Sequence, residues 1–78
     1  MVFEKIRDIV AKTLNLDPEE ITPEKSFSED LDADSLDLAE IIIAMEDEFG
    51  VTVPDENLEK IVTVQDACEF VRSCLSDR

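Results

Sequence analysis

Hydrophobic residues recur at helical spacing over the first part of the chain, from Val2 to Leu14. Charged residues take the opposite positions, so that a helix here would have one apolar and one polar face. The pattern therefore predicts a first amphipathic helix over residues 2–14. Its apolar face comprises Val2, Phe3, Ile6, Ile9, Val10, the methyl group of Thr13 and Leu14.

The following segment, residues 15–34, has no such periodicity. It contains Pro18, Pro23, many polar turn residues and only isolated apolar positions, which predicts a long loop. Loops of this length in small domains are more often functional than incidental. The run Asp17-Pro18-Glu19-Glu20 is expected to form a short helical turn within it.

A second helix is expected to begin at Asp34 or Ser35 and to end at Phe49, before Gly50. Asp34 is a suitable cap, and Asp37 follows three residues later, as in a capping box. An acidic first turn also suits the positive end of the helix dipole.

The remaining chain predicts a short and a long helix. Residues 51–54 form an extended link, after which Asp55 is expected to cap a brief helix reaching Lys60. Thr63 and Asp66 have the spacing of a capping box and predict the start of a last helix. The apolar face of that helix comprises Val64, Ala67, Cys68, Val71, Cys74 and Leu75, with Phe70 at its edge.

These elements predict an all-α fold, a small four-helix bundle. It has three main amphipathic helices and one short helix, with the long loop between the first and second main helices. Only residues 51–53 show any strand-like alternation. A chain of 78 residues is long enough for one core, so we expect a single domain over residues 1–78.

The second helix carries apolar residues on two sides. At about 100° per residue, a core stripe is formed by Leu38, Ile41, Ile42, Met45 and Phe49. Leu36 and Ile43 lie roughly 140–160° from that stripe, beside Glu40 and Asp47. Exposed aliphatic residues are common and often have no role, or the long loop could cover them. Alternatively they form a docking surface for a partner.

In the docking interpretation, Leu36 and Ile43 supply apolar contact and the surrounding carboxylates attract a basic enzyme surface. The carboxylates in question are Asp37, Glu40, Glu46, Asp47 and Glu48.

The charge of the chain limits its partners. With 21 acidic and 7 basic residues the net charge is -14, which disfavours nucleic acid and anionic membrane surfaces. An acidic excess is also an ordinary aid to solubility. Because the chain is strongly acidic, partners with Lys/Arg patches are expected. No stretch is long enough to span a membrane.

The residues needed for catalysis or metal binding are not evident. The chain has no His, no Gly-rich phosphate loop and no Cys-x-x-Cys pair. Asp30, Asp32 and Asp34 alternate as at the start of an EF-hand, but Ser35 stands where glycine is required and Ile41 where glutamate is required. We therefore expect neither a catalytic site nor a metal site.

Cys68 and Cys74 are expected to be free, mostly buried thiols. Six residues along a helix separate their Cα atoms by roughly 9 Å, too far for a disulfide. Free cysteines fit a reducing compartment, and the first residues lack the apolar core of a secretory signal. These features predict a cytoplasmic protein.

Ser35 alone would be an ordinary serine at a helix start. The segment Asp30-Leu31-Asp32-Ala33-Asp34-Ser35-Leu36-Asp37, however, resembles the attachment motif of acyl carrier proteins, whose core is Asp-Ser-Leu. Glu40 and the segments 46–49, 53–56 and 60–64 also resemble that family, so the likeness covers essentially the whole chain. Asp32 is a departure, because many relatives have Gly there.

The resemblance implies that Ser35 carries 4'-phosphopantetheine, transferred from coenzyme A, and that Asp34 and Leu36 contact the phosphopantetheinyl transferase. It implies a monomeric, non-catalytic carrier of growing acyl chains as thioesters for fatty-acid synthesis. Part of the acyl chain would be admitted by the long loop and the apolar faces. Partners would include acyl-transfer, condensing and reducing enzymes with basic patches. The resemblance and the docking interpretation together predict the following partner-recognition residues: Asp34, Leu36, Asp37, Glu40, Ile43, Glu46, Asp47 and Glu48.

Two alternatives remain open at this point. Polyketide, aminoacyl and D-alanyl carriers share the fold and the modification, and differ in the enzymes that load them. An unmodified acidic adaptor protein, in which Ser35 serves only at the helix start, is the alternative from another class.

Overall fold

Helices dominate the computed structural model, which describes residues 2–76. Their bounds are Val2–Leu14 (α1), Ser35–Phe49 (α2), Asp55–Leu58 (α3) and Val64–Ser76 (α4). Within this part of the chain the extended segments form no strand, and Ser26 and Thr63 make one isolated antiparallel bridge. The predicted all-α, four-helix architecture is confirmed.

The ends of α1 and α2 lie where the sequence predicted them. Asn15 follows α1 in the left-handed conformation, with φ 57°, which asparagine tolerates better than most residues. At the start of α2, the Asp34 carboxylate accepts the Asp37 N–H at 2.8 Å, and the Asp37 carboxylate accepts the Asp34 N–H at 3.3 Å. Gly50, with φ 65°, ends α2 in the left-handed region that glycine enters without steric cost.

The prediction that Asp55 caps the short helix is wrong. Pro54 holds the cap position with φ −63° and ψ 150°, and Asp55 is the first helical residue. The proline ring already fixes an extended entry into the helix, and the Pro54 carbonyl accepts the Asn57 N–H at 2.9 Å. The helix also stops at Leu58 rather than at Lys60.

The start of α4 is capped as predicted. Thr63 Oγ1 accepts the Asp66 N–H at 3.1 Å, and the Asp66 carboxylate accepts the Thr63 N–H at 3.0 Å. The same carboxylate accepts the Val62 N–H at 3.1 Å. One acidic side chain thus fixes the entry of the chain into α4.

The loop between α1 and α2 is ordered by its own turn and by bonds to the start of α4. Pro18–Glu20 form a 3₁₀ turn with Asp17 as its cap, as predicted. Further along, the N–H groups of Phe27, Val64 and Gln65 bond across to the facing segment, at 2.9–3.0 Å. The acceptors are the carbonyls of Val62, Lys25 and Pro23, respectively. The loop is therefore joined to residues 62–65.

The core lies where α1 packs against α2 and α4 and where the loop contributes apolar side chains. Full burial of one such side chain stabilises the fold by about 1.5–3 kcal/mol. Within residues 2–76, no helix is both long and apolar enough to cross a bilayer. The largest fully buried side chains are Phe27, Ile6, Ile41, Met45, Val10, Val64 and Val71.

Candidate functional site at the start of α2

Ser35 is the first residue of α2, and its side chain is exposed. The capping box between Asp34 and Asp37 fixes the backbone on either side of it. A hydroxyl at this position is accessible to another protein, yet it stands on a turn whose geometry is held by two hydrogen bonds. The first N–H groups of a helix also lack acceptors within the helix and favour a nearby anion.

The chain reaches Ser35 through a turn anchored to Phe27. The Ala33 N–H donates to the Phe27 carbonyl at 2.8 Å, and both side chains are buried. Asp32 makes the turn in the left-handed conformation, with φ 55°. A residue with a Cβ enters this region at a cost, although aspartate does so more readily than most. Asp32 therefore makes this turn without the conformational freedom of glycine.

A groove of about 450 Å³ begins at Ser35 and runs along α2. From Ser35 to Glu46 is eleven residues, or about 16 Å of helix. The opposite wall is formed by Val53, Asp55 and Leu58, from the segment that links α2 to α3 and from α3 itself. The wall formed by α2 comprises Ser35, Leu38, Ala39, Ile42, Ile43 and Glu46.

A second, smaller cavity of about 170 Å³ lies on the other side of Ser35. The loop contributes Phe27 and Ser28 to it, and the segment before α4 contributes Ile61 and Val62. Val62 is 51% exposed. The exposure of Val62 could not be predicted from the sequence, since the segment before α4 has no periodicity that would indicate which residues face the solvent.

The outer face of α2 carries two exposed aliphatic residues, as its periodicity predicted. Leu36 is 69% exposed and Ile43 is 63% exposed. The alternative in which the long loop covers them is wrong, because that loop packs against residues 62–65. Glu40 and Asp47 lie exposed on the same face. We call these four residues the docking stripe.

The other predicted recognition residues have different surroundings. Asp34 is exposed beside Ser35, and Asp37 is half-buried within the capping box. Glu46 is half-buried, and its carboxylate accepts the Val53 N–H at 2.8 Å. Glu48 is exposed but lies 3.6 Å from Lys5 Nζ. The structure thus groups only part of the predicted acidic surface with Leu36 and Ile43.

The cysteines lie away from this site and are free, as predicted. Cys68 is buried on α4, whereas Cys74 is half-buried. Desolvation raises the pKa of the Cys68 thiol, Arg72 lowers it in part, and Glu69 raises it further. Among residues 2–76, the acidic and cysteine side chains form no cluster of three or more that could hold a metal ion.

Comparison with known proteins agrees with this geometry. Residues 4–71 match the family described as "Phosphopantetheine attachment site". The chain is 54% identical over 72 residues to an acyl carrier protein of Thermosynechococcus vestitus, covering 92% of this chain and 89% of that protein. It also superimposes on a solved structure of the acyl carrier protein from Enterococcus faecalis with a TM-score of 0.78. That match has 33% sequence identity and covers 92% of this chain and 91% of the other.

Proposed function

This chain belongs to the acyl carrier protein family, and on that premise we propose that Ser35 is the attachment residue for its 4'-phosphopantetheine cofactor. The observation that carries the proposal is the position of Ser35. Its hydroxyl is exposed on the first turn of α2, and the groove along α2 begins beside it. A group attached there can reach either the groove or a partner enzyme.

The surroundings of Ser35 fit a phosphodiester. The N-terminal turn of α2 offers backbone N–H groups and the positive end of the helix dipole. The carboxylates of Asp34 and Asp37 each accept a backbone N–H, so part of their charge is already compensated. Ser35 Oγ would hold the cofactor through a phosphodiester: its proton would pass to a base of the phosphopantetheinyl transferase as the phosphorus–oxygen bond of the coenzyme A pyrophosphate breaks and 3',5'-ADP leaves.

We infer that this protein is a carrier and not an enzyme. When bound, the cofactor supplies a thiol that holds acyl groups as thioesters. The groove and the small cavity beside Ser35 are lined by apolar side chains and, apart from Ser35 itself, by the polar residues Ser28, Asp34, Glu46 and Asp55, and the chain contains no His. The chain's own task is to position the arm and to present a surface that partner enzymes recognise.

The docking stripe is the proposed surface for those partners. Leu36 and Ile43 offer exposed apolar area, and Glu40 and Asp47 lie on the same face. Carboxylates around an apolar centre match a basic patch that surrounds an apolar pocket, and such a match accelerates association. Asp34 lies next to Ser35, where the phosphopantetheinyl transferase must bind.

The lining of the groove is suited to an alkyl chain, and this supports a role in fatty-acid synthesis. Leu38, Ile42, Val53 and Leu58 present aliphatic side chains along it. An alkyl chain gains about 0.8 kcal/mol for each methylene removed from water. An aminoacyl or D-alanyl group covers less of this lining than a long alkyl chain does, and the side chains of Leu38 and Ile42 offer its ammonium group no acceptor. The aliphatic lining therefore favours an acyl chain over these alternatives.

One continuous core joins α1, α2, α4 and the loop, which supports a single acyl-carrier domain over residues 1–78. We infer that it acts as a monomer, because the docking stripe has to remain accessible to several enzymes in turn. The two free cysteines support a cytoplasmic site.

The test is intact-protein mass after incubation with coenzyme A and a broad-specificity phosphopantetheinyl transferase. The parent chain is expected to gain one phosphopantetheine, and Ser35→Ala none. Ser28→Ala is the matched control, because Ser28 is also exposed and lies beside the same small cavity. A gain in Ser35→Ala, or no gain in the parent, would overturn the assignment.

A further inference from the structure

Glu46 holds the far end of the groove through both its backbone and its side chain. Its carbonyl accepts the N–H groups of Gly50 and of Val51, the latter at 3.2 Å. Its carboxylate Oε2 accepts the Val53 N–H at 2.8 Å. The hydrogen bonds that Val51 and Val53 donate to α2 therefore both end on one residue.

These bonds matter because Val53 belongs to the opposite wall of the groove. Its side chain is 6% exposed, and it lines the groove together with Leu58 and Asp55. The entry to α3 has no side-chain cap, so the capping of α3 does not add to the anchoring of this wall. Hydrogen bonds to an ionised carboxylate are shorter and stronger than those between neutral groups.

We propose that Glu46 sets the length of the acyl chain that the groove can shelter. The inference rests on the proposed function, in which Ser35 carries the cargo. Methylenes beside Leu38 and Ile42 leave water for an apolar surface. A chain that reaches Glu46 meets a carboxylate instead, at the end of the apolar lining.

An acyl chain that extends past Glu46 gains no stability, whether or not the Glu46 carboxylate keeps its bond to Val53. If the carboxylate keeps its bond to Val53, the added methylenes lie against a charged group and remain outside the groove. If the bond breaks, a buried backbone N–H loses its acceptor and a carboxylate loses its donor. Carbons beyond this length therefore add nothing to the stability of the loaded protein.

The experiment measures the melting temperature of the protein loaded with a series of saturated acyl groups, from butanoyl to hexadecanoyl. In the wild type, the gain over the unloaded holo form is expected to rise with chain length and then level off. In Glu46→Leu, which keeps a bulky side chain but removes the acceptor and the charge, it is expected to level off at a longer chain. Glu4→Leu makes the same side-chain change at an exposed position of α1, outside both the groove and the docking stripe, and is expected to keep the wild-type length.

A second measurement needs no variant. Hydrogen exchange of the Val53 amide is expected to be no faster with the longest acyl groups than with the acyl group at which the gain levels off, because the carboxylate retains its bond while extra carbons stay outside. Faster Val53 exchange with the longest chains would overturn the inference. A wild-type gain that never levels off, or the same levelling length in Glu46→Leu, would do so as well.

Failure of this inference is distinguishable from failure of the proposed function. If mass analysis shows no modification of Ser35, no loaded form exists and the carrier assignment itself fails. If the loaded forms are made but no acyl group raises the melting temperature, Ser35 remains the attachment residue and the role of Glu46 is refuted.

Discussion

Lys5 Nζ lies 3.6 Å from the Glu48 carboxylate and joins α1 to the end of α2. The same ammonium group lies 6.0 Å from the centre of the Phe49 ring. Both side chains of the ion pair are about half exposed, so the pair adds little to stability. The ion pair matters more for partner binding than for stability, because the charge of Glu48 is balanced by a lysine of its own chain and is less available to a partner.

Carboxylates of α2 are therefore expected to contribute unequally to partner binding. Asp47→Asn should raise the KM of the phosphopantetheinyl transferase roughly 2–5-fold, since a charge facing a basic surface is worth up to about 1 kcal/mol. Glu48→Gln should change it less than roughly 2-fold, because Lys5 already balances that charge. Steady-state kinetics at low and physiological salt would check this. Equal effects of the two substitutions would contradict it.

Alanine substitutions at exposed and at buried aliphatic residues of α2 should have different effects on partner binding and on the free energy of unfolding. Leu36→Ala and Ile43→Ala are expected to change the free energy of unfolding by less than about 0.5 kcal/mol, because both side chains are exposed. They should nevertheless weaken the association with a partner enzyme. Ile42→Ala, in the core, should cost about 2–5 kcal/mol. Urea unfolding and binding assays on the three variants would test this, and unchanged binding in both exposed variants would argue against the docking stripe.

The left-handed turn at Asp32 is expected to limit stability. Asp32→Gly should raise the free energy of unfolding by about 0.5 kcal/mol, because glycine adopts φ 55° without steric cost while its greater freedom when unfolded offsets part of the gain. Asp32→Ala should lower it by roughly 1 kcal/mol. Asp32→Asn removes the same charge but keeps a side chain that tolerates this conformation. If Asn gave the full gain of Gly, charge rather than backbone strain would be the cause.

Ionic strength is expected to stabilise the fold. A net charge of -14 on 78 residues produces repulsion that salt screens over a distance of about 10 Å at 0.1 M. The melting temperature should therefore rise between low and physiological salt, as followed by circular dichroism. The double variant Glu40→Gln/Asp47→Asn should show a smaller rise. The same melting temperature at both salt concentrations would refute the prediction.

The two thiols should differ in reactivity and in their effect on stability at high pH. Burial raises the pKa of Cys68 above its ordinary value of 9.0, so the folded state retains this proton at a pH where the unfolded state loses it. The stability contributed by the neutral thiol is fully present below pH 9.0 and is lost as pH rises through the higher folded pKa. The free energy of unfolding should therefore fall less steeply above pH 9.0 in Cys68→Ala than in Cys74→Ala.

Labelling provides an independent check on the thiols. At neutral pH a maleimide should react with Cys74 first, because Cys68 is only 3% exposed. Peptide mapping after partial labelling would locate the adduct. Faster labelling of Cys68 would show that α4 opens more readily than its packing indicates.

The features that were predicted correctly from the sequence depend on residues close to one another along the chain. The bounds of α2 follow from Asp34, Asp37 and Gly50, which act within one helical turn of the ends they fix. The exposure of Leu36 and Ile43 follows from the helical period alone. The cap of α3 was predicted wrongly, although the residues that decide it are equally close together in the chain. Pro54, through its ring and its carbonyl, begins the helix in place of the Asp55 side chain.

Contacts between distant residues could not be predicted in this way. The pairing of Ser26 with Thr63, the bond from Val53 to Glu46 and the ion pair of Lys5 with Glu48 depend on how the helices pack. No spacing in the sequence encodes them. They nevertheless decide which carboxylates line the groove and which face a partner.

The bonds between the loop and residues 62–65 determine how this carrier can be recombined with its relatives. A chimaera that replaces residues 21–34 alone would set a foreign loop against the native Val62 and Val64, whose backbone groups bond with Phe27 and Lys25. Those two segments have to be exchanged together. Val51 and Val53 attach residues 51–58 to α2 through hydrogen bonds to Glu46. A relative that also has glutamate at the position of Glu46 can therefore donate its own residues 51–58, the groove wall, as a separate module.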